Sequence, residues 1–171
     1  MKRIFILAAA AAVLMAATAC GAGNVGGGSS GAKSQASSAR ASSVSDRNVQ
    51  DSLKGLEGYL AGNGVLSGSP SAMKAEVIGA KSGARYQFSY DGKNNVTVEL
   101  YEFDPDALND TAKQVLGSVK SKGRFSLMGQ QIPATLSNSG KYLMIYRDTE
   151  SAESHQQRAG EVKKLFARFK E

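Results

Sequence analysis

Apolar positions along this chain fall into three regimes. Residues 4–17 are apolar without a break. Residues 22–43 carry almost no large apolar side chain. From residue 44 onward the apolar positions become periodic, and the period changes several times. Val49, Leu53, Leu56 and Leu60 fall on one helical face, so the spacing predicts a helix over 44–61. Ser45 is its candidate N-cap, and Gly62-Asn63-Gly64 its stop. Gly55 and Gly58 inside it each weaken it by up to about 1 kcal/mol relative to alanine. Glu76-Val77-Ile78 reads as a short strand. Residues 84–90 then alternate, with Tyr86, Phe88 and Tyr90 on one face. After the turn Asp91-Gly92-Lys93-Asn94-Asn95, Val96, Val98 and Leu100 share a face. Period two on both sides of an Asp-Gly turn predicts a hairpin.

Asp104 and Pro105 suit the N-cap and first position of a second helix, whose stripe is Leu108, Ala112, Val115, Leu116 and Val119. Gly123 stops it. Residues 124–136 form a strand region, where Gly129 and Pro133 suggest a bend and an edge. Residues 142–146 (YLMIY) are continuously apolar and form the most buried strand. A last helix, capped within 148–151, carries Ala152, Ala159, Val162, Phe166 and Phe169 inward. The expected fold is α+β: an antiparallel sheet of four or five strands built from hairpins, packed on one face by three helices.

The first regime has a physical reading of its own. Lys2 and Arg3 precede 14 apolar residues, and small residues close the run. That order is a secretory signal peptide, and the run is short of the roughly 20 residues that span a bilayer. Its end, Ala17-Thr18-Ala19-Cys20, resembles the lipobox of bacterial lipoproteins, with Ala17 in place of the more usual leucine. The resemblance covers only the first 21 residues. It implies that residues 1–19 are removed, that Cys20 is lipidated on sulfur, and that the protein sits at the extracytoplasmic face of a cell membrane. Two or more acyl chains hold a protein stably where one does not. Cys20 is the single cysteine, so no intrachain disulfide is available and the fold stands on its core.

The second regime, with Cys20, makes residues 20–43 a Gly/Ser/Ala-rich tether expected to be disordered, because it has too little apolar surface to offset its ordering entropy. As a flexible coil it spans about 25–30 Å, and fully stretched about 75–80 Å. Residues 44–171 suffice for one domain with its own core.

Charge adds an exclusion. The formal net charge is +6, but leader and tether hold Lys2, Arg3, Lys33 and Arg40. The domain is left with 17 basic and 15 acidic residues, a balance that does not suggest a nucleic-acid binder.

Candidate chemistry is sparse. Gly79 and Gly83 have a phosphate-loop-like spacing but lack the Gly-Lys-Ser/Thr ending, so bending of a strand explains them better. Tyr86, Phe88 and Tyr90 read as core rather than a ligand platform. Glu99, Glu102, Asp104, Asp106 and Asp110 lack a calcium-loop pattern, and Asp104 and Asp106 are better explained as a helix start. His155, the only histidine, reads as a solvated helix residue. Lys163, Lys164, Arg168 and Lys170 complement a helix C-terminus. The expected function is a membrane-anchored, non-enzymatic binding or interaction domain needing no cofactor or metal. The alternative is a small hydrolase of cell-wall or extracellular polymers using Glu99 and Glu102, although their spacing on a strand places them on opposite faces.

Overall fold

The structure, a computed structural model, describes residues 43–91 and 93–171. The leader, Cys20 and the tether up to residue 42 lie outside the described residues. Among those described, three helices accompany a five-stranded antiparallel sheet and a separate two-stranded hairpin, an α+β architecture.

The chain enters through a short 3-10 turn, Asp46–Asn48, and then α1, Leu53–Gly62. The single long helix expected over 44–61 is thus broken. Ser45 caps only the 3-10 turn, and Ser52 caps α1 by accepting from the Gly55 amide at 3.2 Å. The break has a tertiary cause: residues 50–52 fold back over the first turn of α1, so close that a methyl group on Gly55 would fall on the Gln50 carbonyl oxygen. Next come β1, Ser71–Ala72, and a second 3-10 turn, Ala75–Ile78. The strand expected at residues 76–78 is therefore helical. Gly79 ends it at φ +76°, a left-handed conformation natural to glycine.

The predicted hairpin is β2, Ser82–Tyr90, and β3, Lys93–Glu102, with Tyr86 against Val98 and Phe88 against Val96. α2, Asp110–Lys122, starts five residues later than expected. Asn109 caps it, accepting from the Ala112 amide at 2.8 Å, whereas Asp104 closes its own turn through the Asp106 amide. Gly123 ends α2 in the left-handed conformation. β4, Arg124–Leu127, and β5, Gln130–Pro133, make the separate hairpin. β6, Thr135–Leu136, and β7, Tyr142–Asp148, complete the main sheet in the order β1-β2-β3-β7-β6. α3, Glu153–Ala167, closes the chain.

The expectation of one covered face is corrected. Residues of even number in β2, β3 and β7, including Phe88, Val98, Leu100 and Met144, pack with Leu56 and Leu60 of α1 and Val162 and Phe166 of α3. Odd-numbered Tyr101, Leu143 and Ile145 form a second core with Ile78, with Ala112, Val115 and Val119 of α2, and with Phe125 and Ile132 of the hairpin. Alternate side chains of a strand point to opposite faces, so the sheet is covered on both sides. α1 and α3 cover one; α2, the second 3-10 turn and the β4–β5 hairpin cover part of the other. Each large side chain fully buried in these layers contributes about 1.5–3 kcal/mol.

The two ends of the domain are clasped. The Lys170 amide donates to Asp46 Oδ2 at 3.0 Å, and its ammonium donates to the Asp46 and Val49 carbonyls, both at 2.6 Å. The expected dipole role of this lysine is thereby replaced by a tie to the start of the domain.

A candidate binding cleft on the second sheet face

Coverage of the second face is incomplete. Between the Ala75–Ile78 turn and the β4–β5 hairpin a cleft of about 290 Å³ opens onto the sheet. Its floor is built by strand alternation. Arg85 of β2 and Glu99 of β3 are directly paired across the ladder, and Tyr101 lies two residues along β3 on the same face. Arg85 reaches Glu99 Oε1 from Nε at 3.1 Å and from Nη2 at 2.8 Å, while the Tyr101 hydroxyl donates to Oε2 at 3.0 Å. Both oxygens of this buried carboxylate are therefore engaged. Burial first, and the Glu99 carboxylate second, push the Tyr101 hydroxyl well above its ordinary pKa, with Arg85 and Arg147 pulling the other way. The phenol stays protonated and donates.

The rim has a different chemistry. Lys74 and Arg147, both exposed, line the cleft, and Glu99 is the one acidic residue lining it. Val77, 48% exposed, stands on the 3-10 turn, and Leu127 on β4. Met128, next in the chain, is 95% exposed at the hairpin tip. Val77 and Met128 are the exposed large apolar side chains among the described residues; Val77 lines this cleft, and Met128 follows Leu127, which lines it too. Met128 and Gly129 form the two-residue loop of the hairpin, with Leu127 paired to Gln130. Their φ values are +49° and +79°, the left-handed pair of a tight hairpin loop, where asparagine-glycine is the favoured sequence. A methionine there is conformationally disfavoured by about 1–2 kcal/mol and buries nothing in return.

The larger groove of the surface, about 690 Å³, lies between α2 and β6. Its lining is mostly small or aliphatic, with Lys120 its one charged residue.

The sequence-derived candidates are dispersed. Glu99 faces the cleft, whereas Glu102, on the opposite face of β3, accepts from the Leu53 amide at 2.8 Å and lies 3.5 Å from the Lys141 ammonium. The pair considered for hydrolysis is thus separated by the sheet. Asp110 lies on α2 beside Lys113. Gly79 and Gly83 are held by packing: a methyl group at either would crowd Asn109 and Ala112, or the Tyr101 ring. Tyr86 and Phe88 are core, as expected, and Tyr90 packs at its margin. The Tyr86 hydroxyl donates to Glu57 at 3.0 Å, and burial, with that carboxylate, pushes its pKa up to about 12.

His155 is the clear correction. It is 6% exposed rather than solvated. Its Nδ1 lies 2.8 Å from Asp148 Oδ2, its Nε2 lies 3.5 Å from Asp91 Oδ2, and the Tyr90 ring meets it edge-on at 4.9 Å. The third residue of α3 turns toward the end of β7, not outward, and ties helix to sheet. Ser151 and Ser154, its neighbours in sequence, are exposed.

The cleft residues carried a weak signal. Arg85 sits at a polar phase of an alternating strand, Arg147 directly follows the apolar run 142–146, and Met128-Gly129 places an apolar residue where a polar turn residue is usual. No family model, curated protein or solved structure matches this chain.

Proposed function

We propose that this chain is a lipoprotein anchored through Cys20 at the extracytoplasmic face of a cell membrane, and that its domain is a non-enzymatic binding module. The anchor rests on the leader and on the lone cysteine at its end. The binding role rests on one observation: a cleft with a cationic rim is lined by Val77, one of the two exposed large apolar side chains among the described residues, and by Leu127, which precedes the other, Met128, in the chain. Isolated exposed apolar residues need no explanation, but apolar residues gathered at a concavity mark recognition surfaces. A methionine kept at a left-handed hairpin tip strengthens that reading, since local strain gathers at functional sites.

The experiment uses the full chain in cells, fed an alkyne-bearing palmitate and cross-linked at short range. The label is expected on the wild-type protein and absent from Cys20→Ala, which leaves the membrane fraction. A specific cross-linked partner is expected for the wild type and lost in the variant. An unlabelled wild-type chain defeats the anchor, and a labelled chain without a partner defeats the module.

A further inference from the structure

The cleft's chemistry narrows what it binds. Its residual charge is positive. Glu99 spends both oxygens on Arg85 and Tyr101, leaving the charges of Lys74 and Arg147 exposed and without an ion pair among the described residues. A planar guanidinium matches a carboxylate in two-point geometry. Beside these cations lie Val77 and Leu127, which also line an adjoining hollow of about 130 Å³ with Val115 and Phe125. Apolar surface therefore continues past the cleft toward α2. Met73 adds a flexible thioether that fits irregular apolar shapes.

Size and shape select among anionic occupants. The cleft lies at the lower limit of small-molecule sites, which run from about 300 to 1,000 Å³. The cleft and the adjoining hollow share Val77, Ile78 and Leu127 in their walls, so the two adjacent depressions suit successive side chains of an extended segment. A bilayer surface would reach the protruding Met128 but not a concave floor containing Tyr101.

We infer that the cleft takes an extended segment of a partner protein, with an apolar side chain lodged between Val77 and Leu127 and a carboxylate against Arg147. The inference rests on the binding-module reading and names its ligand chemistry. Rim charge sets orientation and partner choice, and the apolar contact supplies the desolvated area.

The test pans the full chain, reconstituted in nanodiscs of zwitterionic lipid, against a displayed library of random short peptides. Enriched peptides are expected to pair an aliphatic or aromatic residue with Asp or Glu within a few positions. Binding of a selected peptide is expected to fall about tenfold in Arg147→Glu, to fall in Val77→Asp, and to recover in Arg147→Glu when the peptide's acid is changed to lysine. Both variants change exposed side chains, and their circular dichroism is compared with the wild type. Enrichment without an acid, insensitivity to both variants, or no enrichment overturns the inference. Binding to phosphatidylglycerol vesicles that is lost in Met128→Asp, without peptide enrichment, replaces it with a lipid surface. A photo-cross-linker at position 128 in cells separates the two failures. A protein adduct without peptide enrichment keeps the binding module and rejects the acidic segment; neither signal rejects both.

Discussion

Two glycines in one short helix make opposite demands, and alanine at each gives a pair of effects of opposite sign. Gly58 is exposed in the middle of α1, with open space where a methyl group would stand. Alanine there restricts the unfolded chain and fits the helix, so Gly58→Ala is expected to stabilise by about 0.5–1 kcal/mol. Gly55 is buried under residues 50–52. A methyl group there overlaps the Gln50 carbonyl oxygen and stands 2.8 Å from its carbon, and these are backbone atoms that no rotamer change can move aside. Residues 50–52 must lift.

Their displacement reaches three interactions. Overpacking alone costs about 1–3 kcal/mol. The Ser52 cap on the Gly55 amide contributes about 1 kcal/mol. Asp51, between them, accepts from the Tyr142 hydroxyl at 2.6 Å, a charge-assisted bond worth about 1.5–3 kcal/mol if lost outright. Partial loss of these, less about 1 kcal/mol of helix gain from alanine, gives a net destabilisation of about 2–3 kcal/mol for Gly55→Ala. Urea unfolding followed by circular dichroism measures both variants. In thermal melts the expected shifts are about 10 °C downward for Gly55→Ala and a few degrees upward for Gly58→Ala. Equal signs, or a neutral Gly55→Ala, would refute the packing of residues 50–52 against α1 and with it the reason the predicted long helix is broken.

Other outcomes follow from the same contacts. Glu99→Ala strands the buried Tyr101 hydroxyl and uncouples a half-exposed arginine, so a loss of about 2 kcal/mol is expected; in Glu99→Ala/Tyr101→Phe part of it returns, and strict additivity in that double-mutant cycle would contradict the hydrogen bond. The Tyr142 hydroxyl, with Lys141, holds the Asp51 carboxyl below its usual value. Burial of Asp148 opposes its ionisation, but the Glu150 amide, His155 and Asn95 outweigh that and also lower it. Depressed carboxylates contribute stability that is complete above the unfolded value, about 3.9, and is lost as pH falls through the lower folded values. Urea midpoints should therefore decline below about pH 4, and less steeply in Asp51→Asn/Asp148→Asn; an unchanged slope in that variant would reject these two groups as the source. Met128→Asn relieves a disfavoured left-handed methionine and is expected to stabilise by about 0.5–1 kcal/mol while weakening peptide capture; a variant that is more stable and binds equally well would remove Met128 from the recognition surface.

The main sheet was legible because strand alternation is local. Val96, Val98 and Leu100 needed only their own spacing to be placed together, whereas the register did not follow from the turn alone, because a bulge separates the Tyr90–Lys93 pair from the Phe88–Val96 pair. The second covered face was also written in the chain, in YLMIY: a strand apolar at consecutive positions is buried on both sides. That run conflicts with a sheet covered on one side, and the conflict is resolved by Leu143 and Ile145 packing under α2 and the hairpin. Starts of helices were harder. Ser45 and Asp104 have capping chemistry as good as that of Ser52 and Asn109, and what selects between them is tertiary: Gln50 over Gly55, and Glu102 accepting from the Leu53 amide at the start of α1. The neighbours of His155 were beyond reach for a similar reason. Asp148 lies seven residues away across a helix start, and Asp91 comes from a turn on another hairpin. The cleft joins residues 73, 74, 77, 78, 85, 99, 101, 127, 132 and 147, which only the topology brings together.

The same topology gives the first described residues and the cleft separate sides of the sheet. Val44, where the domain begins, is held by Asn63 at the end of α1 through a 3.0 Å bond to its carbonyl, and its side chain lies against Gly62. The clasp from Lys170 fixes the neighbouring Asp46. These contacts belong to the layer of α1 and α3, on the even-numbered face of the strands. The cleft opens on the odd-numbered face, with Arg85, Glu99 and Tyr101 in its floor and the single layer of the sheet between it and α1. The start of the domain and the cleft therefore lie on opposite sides of the sheet. Cutting the clasp with Lys170→Ala and Asp46→Ala frees the entering segment without touching a cleft residue. Peptide capture at the cleft should be unchanged while the domain becomes less stable, because the two sides share the sheet but no contact.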